Sequence, residues 1–323
     1  MPKEPHSSSG PGSSGPLAGR PVIFGEALFD VFPDGRAVLG GASFNVAWNL
    51  RGFGVEPLFI SRIGDDERGR LVLEAMERWA MDPGGVQLDR KRPTGVVRVE
   101  IERGEPRFDI LGEQAYDFIE AGEIPTDSDG SVSLLYHGTL AARSPVSRAA
   151  LGDLLERLGR SVFVDVNLRD PWWSAGAARE AMRRASWVKL NAAELSTLSE
   201  KDLRTDDEIE AEARRQRREL DLDQLIITLG ANGALMVRPN DEILDCQATA
   251  LPEFEDTVGA GDAFSAVMIL GLSKGWPLLL RLKRAVEFAA HVCTFRGATS
   301  EDASLYRGFV ERWDAEGSGS FSG

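Results

Sequence analysis

The 323-residue chain has only two cysteines and three histidines. Cys246 and Cys293 show no metal-type spacing and form no disulfide framework, so a reducing cytoplasm is the expected setting. His6, His137 and His291 are scattered and offer little for a catalytic triad or a metal cluster. Positive charge is scarce as well: 37 Lys plus Arg stand against 51 Asp plus Glu, a formal net charge of −14. Such a balance argues against non-specific binding of nucleic acid or of an anionic membrane. It leaves room for a small anion where amides and a metal outweigh the global field. No apolar run reaches the roughly 18 residues of a membrane span. The chain has no GxxxxGK[ST], no GxSxG and no GxGxxG after its first strand, so P-loop, nucleophile-elbow and dinucleotide chemistries lose their signatures.

What is present is an alternation. "PVIFG", "LFISRIG", "SLLYHG", "SVFVDVN", "SWVKLN" and "QLIITLG" read as short apolar strands. Between and after them lie helical stretches, among them "GASFNVAWNLRGF", "ERGRLVLEAMERWAM", "PVSRAALGDLLERLG", "DEIEAEARRQRREL" and two near 259–274 and 277–296. Apolar strands separated by amphipathic helices predict an α/β fold with a mostly parallel sheet covered on both faces. No internal repeat occurs. Residues 1–20 and 316–323, rich in Ser and Gly, are expected to be disordered tails around one domain spanning 21–315. Two segments break the rhythm with a two-residue period, one within about 28–40 turning at "PDG" and one within 93–118 turning at "RGEP". They predict hairpins forming a small sheet beside the main one, as a lid or a homodimer contact.

Ligands of open parallel sheets sit at the carboxyl ends of strands, so the polar residues there come next. "DTVGAGDAF" (256–264) places Gly259, Ala260 and Gly261 at a helix start, where bare amides and the dipole attract an anion. Asp262 would repel that anion unless its task is to take a proton from a hydroxyl. A capped helix with glycine in its first turn explains the nine residues equally well. "GGASFN" places Gly40 and Gly41 before a helix carrying Asn45, either as a plain turn with a satisfied Asn or as contacts for a polyol. In "VKLNAAEL", Asn191 and Glu194 stand three apart at a helix start. That spacing suits hydrated Mg²⁺ and a capping box alike. "ITLGANGALMV" ends a strand at Thr228 and Gly230 and turns through Gly233, as any hairpin would. Asp30 is an acid close to the same cleft.

Taken together, "GGASFNVAWNL", "DTVGAGDAFSA", their order and the alternation from about Pro21 to Phe309 resemble the ribokinase-like, phosphofructokinase-B type sugar kinases. The resemblance implies a three-layer α/β/α fold with a small β lid, transferring the γ-phosphoryl of ATP to a sugar hydroxyl. It makes Asp262 the base and the amides of Gly259, Ala260 and Gly261 the anion hole. Asn191 and Glu194 would orient hydrated Mg²⁺, and Thr228, Gly230 and Gly233 would lie on the nucleotide side. Asn167 and Arg169 of "DVNLR" would lie near the phosphates, and Asp30, Gly40, Gly41 and Asn45 would contact the sugar. Asp256 and the carbonyl of Val258 match positions used for K⁺. "GEALFD", "HGTLAAR" and "DVNLR" look most like fructokinases and 2-keto-3-deoxygluconate kinases, so fructose is the expected acceptor. Asp109 stands where an Arg is common in the lid, and Val166 where Pro is common. The alternatives are 2-keto-3-deoxygluconate, a nucleoside, or a non-catalytic regulator of the same fold.

Overall fold

A computed structural model describes residues 15–102, 105–124, 132–158, 161–248 and 254–319. In chain order the elements begin with β1 (Arg20–Phe24), β2 (Leu28–Val31), β3 (Ala37–Gly40), α1 (Ala42–Gly52), β4 (Leu58–Gly64), α2 (Glu67–Arg78), β5 (Val86–Asp89), β6 (Gly95–Glu102) and β7 (Glu105–Ile110). They continue with β8 (Val132–His137), α3 (Pro145–Leu158), β9 (Val162–Asp165), α4 (Ala175–Arg183), β10 (Trp187–Asn191), α5 (Ala192–Ser199), α6 (Asp206–Glu219) and β11 (Gln224–Thr228). The chain closes with β12 (Ala234–Val237), β13 (Ile243–Cys246), α7 (Ala260–Lys274), α8 (Leu278–Val292) and α9 (Ala303–Gly319).

Nine strands form the main sheet in the order β13-β12-β11-β10-β9-β8-β1-β4-β5. All neighbours from β11 to β5 run parallel, and β12 and β13 complete the edge antiparallel. The central strands carry apolar residues on both faces, because both faces are covered. On β4, Phe59 and Ile63 pack toward α1, α2, α7, α8 and α9, while Leu58 and Ile60 pack toward α3 to α6. Each fully buried aliphatic side chain contributes roughly 1.5–3 kcal/mol. Helices α1 and α7 are buried almost all round rather than along one stripe, so both lie inside the layered body. A hydrogen bond from Asn45 to Asp262 at 2.8 Å ties their first turns together.

The expected three-layer α/β/α architecture is therefore present. The second sheet, β3-β2-β6-β7, is the small lid, with the hairpin pairings β2–β3 and β6–β7. Lid strands end at Ile110; Ala115–Phe118, inside the segment read as lid, form a 3-10 turn instead. Residues 103–104 of the "RGEP" turn lie outside the described residues.

Both tail boundaries need correction. Of the segment 1–20, residues 1–14 lie outside the described residues, but Leu17 packs on the core and donates its N–H to the Leu272 carbonyl at 3.1 Å. Arg20 opens β1 and pairs with Asp82 at 2.7 Å. At the other end α9 runs through Gly319, past the expected boundary at 316. Tyr306, Phe309 and Trp313 bury one face of α9, and helix propagation carries the following Ser and Gly residues along. Cys246 and Cys293 are free thiols. Among the described residues no helix is long and apolar enough to cross a membrane.

Candidate active site

Helix α7 starts at Gly259, whose φ of 78° is costly for any residue with a Cβ. A Cβ there would also come within 2.3 Å of Ala298 Cα. No side chain caps the helix. Among the described residues the N–H groups of Gly259 and Gly261 have no acceptor, whereas that of Ala260 donates to the Thr257 carbonyl at 3.2 Å. The anion hole expected from three amides thus has two free ones, with Ala260 held in the preceding turn.

Asp262, in the first turn of α7, does not fold back onto these amides. Its Oδ2 accepts the Asn45 Nδ2–H at 2.8 Å, across from α1. Burial pushes the carboxyl up to about 7, and the charge of Asp165 adds to this; the Asn45 bond, Lys189 and Arg169 act the other way. The amide Oδ1 of Asn45 is buried with no partner among the described residues.

Beneath the glycine turn lies an ion pair that the sequence reading passed over. Lys189 and Asp165 face each other in register on β10 and β9, and Nζ reaches both carboxylate oxygens at 2.9 and 2.8 Å. Ser265 Oγ donates to Asp165 at 2.9 Å, and it also lies 3.1 Å from the Gly261 carbonyl. A Cβ on Gly261 would stand 3.0 Å from Lys189 Nζ, so the bare glycine lets a buried cation underlie the amides. Paired charges of this kind are costly to bury, and removing one partner leaves the other uncompensated. The signal was available: Asp165 and Lys189 are the charged residues of otherwise apolar strands.

Asn191 and Glu194 do form the capping box. Asn191 Oδ1 accepts the Glu194 N–H and Glu194 Oε2 accepts the Asn191 N–H, both at 2.8 Å. Glu194 Oε1 takes the Leu168 N–H at 2.8 Å. Burial raises the Glu194 carboxyl above its ordinary range. With both oxygens so engaged, this carboxylate fits a hydrated Mg²⁺ through water better than direct ligation. Among the described residues no group of three or more His, Cys, Asp or Glu could hold a metal by itself.

Thr228 ends β11 opposite Asn191, so the two share one edge of the cleft. Gly230 (φ 59°) opens a 3-10 turn. Gly233 has φ 90°, and a Cβ there would also meet the Cys246 carbonyl at 2.0 Å. Asp256 Oδ1 accepts the Val258 N–H at 3.1 Å, and Val258 is exposed. Asp30 lies on β2 and Gly40 ends β3, one residue before Gly41, which starts α1. Burial lifts the Asp30 carboxyl to about 6, against the charge of Arg169. Asn167 follows β9 with φ 39°. Arg169, expected near the phosphates, acts electrostatically on Glu26, Asp30 and Asp262.

An uncapped helix start above a buried Lys189–Asp165 pair, with a carboxylate turned aside from its amides, is an arrangement that could receive a phosphoryl group. Residues 31–304 match the pfkB family carbohydrate kinases, and the chain belongs to that family. It is 30% identical to a fructokinase of Klebsiella pneumoniae over 275 residues, covering 80% of this chain and 85% of that one. It is 29% identical to the aminoimidazole riboside kinase of Salmonella typhimurium over 268 residues, 78% of this chain and 80% of that one. Among solved structures it resembles the Vibrio cholerae O395 fructokinase in its fructose, ADP and calcium form. The TM-score is 0.75 at 26% identity, covering 90% of this chain and 99% of the other. A double mutant of that enzyme carries fructose, ADP and potassium, again with a TM-score of 0.75, at 25% identity over 91% and 99% of the two chains. The chain is thus a sugar kinase, a phosphotransferase with an alcohol acceptor.

Proposed function

We propose that the protein is an ATP-dependent fructokinase in which Asp262 is the general base. The observation that carries this is the Asn45–Asp262 bond at 2.8 Å beside the free amides of Gly259 and Gly261. It holds a carboxylate off the helix start, where it can meet a hydroxyl instead of occupying the phosphate's place. Fructose as acceptor draws on the fructokinase relatives.

Mg²⁺-ATP, when bound, supplies the γ-phosphoryl and neutralises its oxygens. The amides of Gly259 and Gly261, backed by Lys189, receive the charge that develops there. Asn191 and Glu194 would hold the hydrated Mg²⁺, with Thr228, Gly230, Gly233 and Asn167 on the nucleotide side. Asp256 and the Val258 carbonyl are the K⁺ candidates. Gly40, Gly41, Asn45 and Asp30 orient the acceptor, the lid excludes water, and Asp262 takes the hydroxyl proton. The location is cytoplasmic, and the lid strands, with Phe108 half exposed on β7, offer a homodimer contact.

One observation favours a second acceptor. The Arg169 charge on the acceptor side suits a sugar acid such as 2-keto-3-deoxygluconate. The test is ADP production with Mg²⁺-ATP, with and without K⁺, over fructose, 2-keto-3-deoxygluconate, ribose, glucose, adenosine and aminoimidazole riboside. Selective turnover of fructose is expected. Turnover of the acid alone replaces fructose with the second reading. ATP binding without turnover of any acceptor overturns catalysis in favour of a regulator.

A further inference from the structure

We infer that Glu26 is a positioning residue for the acceptor side: it replaces the missing cap of α1 and so holds Gly41, Asn45 and, through Asn45, Asp262. The inference rests on the reading that Gly41 and Asn45 face the acceptor.

Helix α1 starts behind Gly41, which has no side chain to cap it, and no acid lies in its own first turn. The exposed amides of a helix start need partners. Here one residue of the β1–β2 connection supplies them. The Glu26 carboxylate accepts the N–H of Ser43 at 3.4 Å. Its carbonyl accepts the Phe44 N–H at 3.3 Å. Glu26 is only 3% exposed, so water does not substitute for it. The fit also dictates the glycine: Gly41 has φ 108°, and a Cβ on it would stand 2.6 Å from the Glu26 carbonyl oxygen.

From this start the next links are direct. Asn45 N–H closes the first turn onto the Gly41 carbonyl at 2.8 Å, and Asn45 Nδ2 bonds Asp262. Burial raises the Glu26 carboxyl above its ordinary range, while its amide bonds and the Arg169 charge favour the ionised form. Removing the carboxylate would strand the Ser43 amide and free the helix start to shift. None of the bonds made by Glu26 reaches the nucleotide side, so the damage should fall on the acceptor alone.

The test compares Glu26→Ala, Glu26→Gln and Asn45→Ala in the full chain, using whichever acceptor the turnover panel selects. Glu26→Ala should lower kcat/KM for the acceptor about 10- to 100-fold, as small misplacements of reacting groups do, and leave KM for ATP within about twofold. Glu26→Gln keeps one acceptor oxygen and should lose less than about tenfold, a partial rescue. Equal changes on both substrates, or none on either, would overturn the inference. If Glu26→Ala does not fold, Glu26→Gln decides: an acceptor-specific loss supports the role and an unchanged acceptor KM and kcat contradict it. Asn45→Ala separates the two layers of argument. An acceptor KM raised by Asn45→Ala but untouched at Glu26 overturns the role of Glu26 alone. An acceptor KM untouched by Asn45→Ala overturns the acceptor-side reading and this inference with it.

Discussion

Helix α1 starts behind Gly41 at φ 108° and helix α7 behind Gly259 at φ 78°, and neither glycine can offer a cap. Both helices are buried nearly all round, and a hydrogen bond joins their first turns. At α1 the amides are filled from within the chain, by Glu26. At α7 two remain free, and a buried Lys189 lies beneath them. The acid in the first turn of α7, Asp262, is bonded instead to Asn45, a residue of the other helix. A glycine-rich helix start is therefore not a phosphate site by composition. What decides is whether the protein supplies the anion itself.

The largest effect that would break this contrast is at Asp262. Asp262→Asn should keep the fold and lower kcat by about 10²- to 10⁴-fold, the usual weight of a positioned base; a folded variant with near-normal turnover would remove Asp262 from that role. Next come the glycines. Gly259→Ala forces a Cβ against Ala298 and should cost about 10- to 100-fold in kcat with a raised KM for ATP. Gly41→Ala, clashing with the Glu26 carbonyl, should instead raise the KM for the acceptor. Steady-state kinetics on both substrates would show whether the two helix starts divide the work this way.

Smaller effects follow from the Asp262 carboxyl, pushed up to about 7 by burial. A base must be ionised, so kcat/KM for the acceptor should fall as pH drops below about 7, by roughly tenfold per unit. A pH–rate profile flat from 5 to 8 would contradict the assignment. The smallest expected effect is on stability. The folded carboxyl lies above its ordinary value of 3.8, so ionising it opposes folding; stability is lost as pH rises from about 4 to about 7 and the loss is fully present at pH 8. Asp262→Asn should then stabilise the ligand-free protein at pH 8 by on the order of 1–3 kcal/mol, and not at pH 4, in thermal melts.

The uneven legibility of the sequence has physical causes. Strands such as "LFISRIG" and "QLIITLG" were readable because both faces of a parallel sheet are buried, which leaves unbroken apolar runs. The edge strands β5 ("VQLD") and β13 ("ILDC") were not, since half-solvated edges need few apolar residues. Spacing could not separate the two uses of Asn191 and Glu194, because a capping box and a metal-orienting pair want the same geometry; the structure supplies the capping bonds. Glu26 was invisible beside Asp30 in "GEALFD", as burial of an acid depends on where the β1–β2 connection meets α1. The Lys189–Asp165 pair was legible in principle, two opposite charges in apolar strands, but their register across β9 and β10 is a property of the folded sheet.

The most direct test of the contrast between the two helix starts is a ¹H–¹⁵N amide spectrum of the deuterated protein, titrated with Mg²⁺ and a non-hydrolysable ATP analogue and no acceptor. The amides of Gly259 and Gly261 should shift with saturation, while those of Ser43 and Phe44, already bonded to Glu26, stay in place. Shifts at Ser43 and Phe44 with none at Gly259 and Gly261 would contradict the account.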